Sequence, residues 1–160
     1  MSAVPGGLFV PEPGRKIIAR NRRAGFEYTL LDTVEAGLVL RGSEVKSLRD
    51  GKASITEAYA RIEDGEAFIH NLDIPPYPMA GPFNHEPKRV RKLLLHRREI
   101  DKLLGKTRER GMTLIPTLLY FKFGRAKLEL ALAKAKKKWD KREAIEARDA
   151  KREMQRRTRY

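Results

Sequence analysis

The chain has 160 residues and a formal net charge of +14, with 35 Lys and Arg against 21 Asp and Glu. That length suits one folded domain with an appendage, and so large a basic excess points to nucleic acid before an anionic membrane surface. The absence of cysteine excludes disulfides and thiolate metal sites, and no apolar run approaches the ~18 residues of a membrane span.

Residues 1–14, MSAVPGGLFVPEPG, hold three prolines and three glycines and read as a flexible leader. They lack the basic start and apolar core of a signal peptide, so the expected compartment is the cytoplasm. The next nine residues, RKIIARNRR, carry five basic side chains and no acid. Lys16 to Ala19 suits a short strand, leaving Asn21, Arg22 and Arg23 exposed.

From Glu27 to Leu40 the run EYTLLDTVEAGLVL is rich in β-formers. Glycine inside such a run marks a bend or bulge, so two strand segments with a kink at Ala36-Gly37 are expected. Ser43 is then placed to N-cap a short helix through Arg49, which Gly51 stops. Residues 54–72 read as a hairpin turning at Asp64-Gly65. Five prolines between Pro75 and Pro87 make an irregular loop, long for a compact domain and so suited to function.

Residues 88–98, KRVRKLLLHRR, place six basic residues around Val90 and Leu93 to Leu95. A helix from about Arg97 to Arg110 should bury Ile100, Leu103 and Leu104, with Gly111 ending it. Two strands follow, Thr113–Phe121 and Arg125–Ala133, joined around Phe123-Gly124. Pro116 demotes the first to an edge or a bulge. The second alternates, with Ala126, Leu128, Leu130 and Leu132 on one face and Arg125, Lys127, Glu129 and Ala131 on the other. Short antiparallel strands at this spacing predict a small barrel, closed or partly open, over residues 15–133.

The remaining stretch, 134–160, has twelve Lys and Arg against five Asp and Glu and contains neither glycine nor proline. Its residues favour helix, but the stripe of Ala144, Ala147, Ala150 and Met154 is too thin to bury against a core. Such a tail needs a partner to become a helix, and its charge selects a polyanion. Trp139, set among lysines with no core to enter, suits base stacking.

Catalytic patterns are thin. Ser43-Glu44-Val45-Lys46 fits the S-x-x-K spacing of serine acyl-enzymes, and equally an N-cap serine followed by a surface lysine. His70, His85 and His96 share no metal-ligand spacing. No cofactor, metal or enzymatic activity is expected. A generic basic RNA-binding or ribosomal protein, whose affinity follows total charge, is one reading of what remains.

Four stretches make a narrower case. ARNRRAGFEY (19–28), EAGLVLRGSEVKSLRDGK (35–52), RVRKLLL (89–95) and KAKKKWDKR (134–142) together resemble the SsrA-binding protein family, also called small protein B. The resemblance runs in order from about Lys16 to Arg142, and Asp64-Gly65-Glu66 and Leu119-Tyr120 fit it too. It implies an OB-like barrel, mainly β with short helices, that binds the tRNA-like part of transfer-messenger RNA. It further implies delivery of that RNA to ribosomes stalled without a stop codon. The basic tail, disordered when free, would become helical in the empty messenger channel against small-subunit rRNA. Elongation factor Tu with GTP would accompany the charged RNA and perform the hydrolysis, leaving this chain an adaptor, monomeric when free.

By matching position, Asn21, Arg22, Glu35 and Leu94 fall where that family contacts its RNA. Arg23, Lys46, Arg49, Arg91, Lys92 and His96 are expected beside them. In the tail, Lys134, Lys136, Lys137, Lys138, Trp139, Asp140, Lys141 and Arg142 are expected at the decoding centre and messenger channel. A carboxylate repels phosphate, so Glu35 in an RNA site must accept from a base amino or imino group or orient an arginine. A salt bridge to a neighbouring cation accounts for Glu35 equally well, and barrel core accounts equally for Leu94. His96, Ala135 and Trp139 depart from the family's commoner Asn, Gly, and Tyr or His.

Overall fold

In the computed structural model, residues 15–109, 111–136 and 148–152 are described. Seven strands carry the fold: β1 Arg15–Arg20, β2 Tyr28–Leu38, β3 Tyr59–Glu63, β4 Glu66–His70, β5 Arg91–Leu94, β6 Met112–Lys122 and β7 Arg125–Ala135. Three helices, α1 Ala24–Glu27, α2 Gly42–Arg49 and α3 Arg97–Thr107, and a 3-10 turn at Pro78–Phe83 complete it. The ladder runs β1-β6-β3-β4-β5-β2-β7, and β6 also pairs with β7. Strands β2 to β7 therefore close into an antiparallel ring, while β1 lies along the far half of β6.

Two tight turns set the register. Asp64-Gly65 joins β3 to β4 with φ of 50° and 76°, and Phe123-Gly124 joins β6 to β7 with φ of 49° and 78°. Left-handed backbone at both central residues matches the right-handed twist of the flanking strands, which is why Asp-Gly makes such a strong signal. In the second turn Phe123 takes the left-handed position itself, an uncommon state for a bulky residue.

Pro116 sits at a register shift in β6, between Pro116 and Leu118. Since β6 has neighbours on both sides, the bulge is the form its proline takes. Leu48, Ile55, Ile69, Leu72, Ile74, Leu93, Leu114, Leu119, Leu128 and Leu130 fill the ring. Each such side chain contributes about 1.5–3 kcal/mol by leaving water. A second, smaller cluster of Ala24, Ile115 and Ala133, with Tyr28 against it, lies where α1 packs on the barrel. It explains why Ala131 and Ala133 are buried along with the leucine face of β7.

Several expectations change. Strand β2 is not broken at Ala36-Gly37; its register shift falls between Leu30 and Asp32. At Gly37 the demand is for space, because an added Cβ would lie 3.1 Å from the Leu94 Cβ. Ser43 does not cap α2. The cap position is Arg41, whose amide donates to Glu44 Oε1 at 2.7 Å, so Ser43 already stands inside the helix. Helix α1 was not foreseen, being four residues long and without a side-chain cap. Helix α3 stops at Thr107, whose hydroxyl donates to the Leu103 carbonyl at 2.8 Å. Strand β7 continues to Ala135, where it pairs with Tyr28, so the barrel runs two residues past the expected boundary. The leader 1–14 lies outside the described residues.

Candidate nucleic-acid interface

Strand β5 offers alternate residues to opposite faces. Arg91 and Leu93 point inward and are buried; Lys92 and Leu94 point outward and are exposed. Leu94 is 55% exposed, and it lies over Gly37 of the neighbouring β2, where no side chain obstructs it. Two residues before Gly37 on β2 comes Glu35, and just after β5 comes His96 at the head of α3. Glu35, Leu94 and His96 thereby share one cleft of about 360 Å³, together with Gly37, Leu95, Glu99 and Lys127. Three residues far apart in the chain and expected at an RNA contact are brought together.

The electrostatics of this cleft centre on Glu35, whose side chain is 39% exposed. Its Oε2 accepts a hydrogen bond from the buried Tyr120 hydroxyl and faces Lys122 Nζ at 3.5 Å. Burial, the largest single influence, pushes the Glu35 carboxyl upward. The Tyr120 hydrogen bond and the charges of Lys122 and Lys127 outweigh it and hold the group below the usual carboxylate value. Both readings of Glu35 thus survive in one place: it is paired with a lysine, and it opens on a cleft.

The other expected residues are spread over the surface. Asn21 is held by its side-chain amide to the Pro116 carbonyl at 3.1 Å and by its backbone to Thr117 at 2.9 Å. With Arg23 it lines a second cleft of about 450 Å³ that also includes Glu27, Tyr28 and Tyr59. Arg22 is exposed beside it. Strand β2 links the two clefts, since Tyr28 and Glu35 stand seven residues, or roughly 23 Å, apart along it. Lys46 and Arg49 are exposed on α2, with Lys46 Nζ 5.6 Å from the centre of the Tyr77 ring. Lys92 is exposed and meets Glu66 at 3.2 Å.

Arg91 must be withdrawn from the RNA surface. It is fully buried, its Nε donating to Glu44, Nη1 to the Leu72 carbonyl at 2.6 Å and Nη2 to the Pro87 carbonyl at 3.1 Å. Arg89 reaches the other oxygen of Glu44 at 2.6 Å. A buried guanidinium needs its donors filled, and these partners fill them. Although burial pushes the Glu44 carboxyl upward, hydrogen bonds from Arg89, the Arg41 amide and Arg91 hold it below its usual value.

Ser43 and Lys46 form no pair. The Ser43 hydroxyl meets His85 Nδ1 at 2.8 Å, and His85 Nε2 meets the Ile74 carbonyl at 2.8 Å. A carbonyl only accepts, so Nε2 carries the proton and Nδ1 accepts from serine. At 9% and 4% exposed, both side chains are closed off from solvent, and their contact ties the 75–87 loop to α2. Among the described residues there is no metal-binding group of His, Asp and Glu, and no helix is long and apolar enough to cross a membrane.

Lys134 is exposed in β7, opposite Thr29 and Met112. The Lys136 amide donates to the Glu27 carbonyl at 3.0 Å and its Nζ to the Gly25 carbonyl at 2.9 Å, so the chain leaves the barrel from α1. Lys137, Lys138, Trp139, Asp140, Lys141 and Arg142 lie outside the described residues. Residues 148–152 are helical, with Arg148 placed 5.9 Å from the centre of the Phe26 ring. The sequence did not single out Tyr120, Lys122 or Lys127 for the Glu35 cleft. Lys127 carried a usable signal, its place on the polar face of β7; Tyr120 carried none, since its partner is 85 residues away.

A closed antiparallel barrel with cationic flanks and an outward cleft of one carboxylate, one leucine and one imidazole defines an OB-like RNA-binding protein. The chain belongs to the SmpB protein family, whose model matches residues 18–160. The SsrA-binding protein of Parafrankia sp. (strain EAN1pec) is 59% identical over 145 residues, covering 91% of this chain and 92% of the relative. That of Pelotomaculum thermopropionicum is 58% identical, covering 88% and 92%. That of Geobacillus kaustophilus is 51% identical, covering 92% and 95%. A solved structure described as "tmRNA-SmpB: a journey to the center of the bacterial ribosome" superposes with a TM-score of 0.65 at 47% identity, covering 79% of this chain and 93% of that one.

Proposed function

We propose that this protein is an RNA-binding adaptor of trans-translation. Its barrel binds the tRNA-like domain of transfer-messenger RNA and brings that RNA to ribosomes stalled without a stop codon. The basic tail, from Lys136 onward, enters the vacant messenger channel and meets small-subunit rRNA at the decoding centre. Elongation factor Tu with GTP travels on the charged RNA and carries out the hydrolysis; the adaptor acts as a cytoplasmic monomer and has no reaction of its own.

The observation that carries this reading is the meeting of Glu35, Leu94 and His96 in one cleft. A surface made only to hold phosphate would not keep a carboxylate at its centre. Glu35 suits the amino or imino edge of an unpaired base, and Leu94 gives that base an apolar face. Arg22 and Arg23, with Lys46 and Arg49, add phosphate contacts from α1 and α2 and make affinity salt-dependent.

The test uses the full chain, a truncation ending at Lys136 and a Glu35→Gln variant, with the tRNA-like domain as probe. The truncation should bind this RNA as the full chain does and yet fail to support tagging on stalled ribosomes. Loss of RNA affinity on truncation would overturn the division of labour. Glu35→Gln should weaken binding and blur the preference for this RNA over unrelated RNA. If it binds as tightly as before or more so, affinity follows charge, and the protein is a general basic RNA binder.

A further inference from the structure

Glu35 is useful to a base only if one of its oxygens is held in a fixed direction. An exposed glutamate normally samples several rotamers, and beside Lys122 and Lys127 it could fold onto either. The strand behind it supplies the restraint. Tyr120, on β6, is 2% exposed, so its ring cannot move, and its hydroxyl donates to Glu35 Oε2. From β1, the Arg15 guanidinium covers the Tyr120 ring at 4.0 Å and also meets Glu129 at 3.8 Å. Among the described residues the contacts of the Glu35 carboxylate converge on Oε2.

From this geometry we infer that Tyr120 is a positioning residue for RNA recognition: it fixes Glu35 by one carboxylate oxygen and leaves Oε1 directed to the cleft as a single aimed acceptor. The inference rests on the reading of Glu35 as a base contact and adds where its selectivity comes from. A carboxylate locked at one oxygen accepts well from a base amino or imino group in one plane. It accepts poorly from a ribose hydroxyl elsewhere in the cleft, and it repels phosphate from every direction. Tyr120 touches no RNA in this arrangement; it acts through Glu35. Because burial, and after it Glu35, pushes the Tyr120 hydroxyl well above its ordinary value, the hydroxyl remains a donor across the physiological range.

The experiment measures dissociation constants for the full chain and for Tyr120→Phe, Glu35→Gln and the double variant. The tRNA-like domain is compared with an unrelated RNA hairpin of equal length. Tyr120→Phe should weaken binding to the tRNA-like domain by about tenfold, the scale of one hydrogen bond to a charged group, and leave the hairpin unchanged. In the Glu35→Gln background the same change should cost nothing further. Carbon-detected NMR titration of the Glu35 carboxyl should show its pKa rising in Tyr120→Phe, a shift that loss of packing elsewhere would not produce. Unchanged RNA preference in Tyr120→Phe, or effects of the two variants that simply add, would overturn the inference. Glu35→Gln without effect would mean instead that the base-contact reading has failed, and the role of Tyr120 with it. Should Tyr120→Phe fold poorly, Glu35→Asp replaces it: the shorter carboxylate withdraws from Tyr120 and should lose the same preference, whereas retained preference would count against the inference.

Discussion

Within four residues of β5 an arginine is fully buried and a leucine is 55% exposed. Arg91 faces the inside, where Glu44 and two backbone carbonyls fill its donors. Leu94 faces out over Gly37, in the cleft with Glu35. Strand parity sets these positions, and residue type only decides what each must then find. The arginine found a carboxylate, which tethers α2 and the 75–87 loop to the barrel. The leucine found no protein partner large enough to cover it, which marks the face as a contact surface.

Removal of the inner arginine tests the contrast most severely. Arg91→Ala leaves Glu44 with less than its full set of donors inside the protein, and should cost about 3–5 kcal/mol in denaturant-monitored unfolding. Molecules that remain folded should still bind RNA. Acid should reach the same lock by another route. A carboxyl held below its ordinary value contributes stability that is complete above the ordinary carboxylate range and is lost as pH falls through the depressed value. Unfolding midpoints at stepped pH should therefore fall on the acid side, and Glu44→Gln should flatten that slope.

The outer leucine should behave in the opposite way. Leu94→Ala should change stability by less than about 0.5 kcal/mol, as surface changes do. Affinity for the tRNA-like domain should nevertheless fall by roughly tenfold, the low end of a lost base contact. A large stability loss in that variant would mean Leu94 is core after all. The smallest effect belongs to Lys92, whose pairing with Glu66 joins two exposed side chains. Lys92→Ala should alter stability by at most about 0.5 kcal/mol, and RNA affinity should change mainly in its salt dependence.

The sequence shows some of this and hides the rest for physical reasons. Asp64-Gly65, Phe123-Gly124 and Pro116 are local constraints, so the two turns and the bulge could be read directly. The alternation of Leu128, Leu130 and Leu132 is local too. Arg91 could not be read, because in a run of six basic residues nothing local reveals which one faces inward. Ser43 was misplaced for a similar reason: the Glu44 carboxylate serves the Arg41 amide, and the helix starts two residues earlier than the serine suggests. Glu35 and Leu94 were singled out by resemblance, but their meeting depends on the β2–β5 pairing, which only the fold provides. The clamp from Tyr120 is more remote still.

The two hydrogen bonds from Lys136 to the carbonyls of Glu27 and Gly25 make α1 the last fixed point of the barrel before the tail. The same short helix follows directly on Asn21, Arg22 and Arg23. A load applied to those side chains is therefore felt at the pivot from which the rest of the chain departs, with no relay through the barrel required. RNA seated on α1 and a tail searching for its channel share one mechanical joint, so the grip on the cargo sets the bearing of the probe.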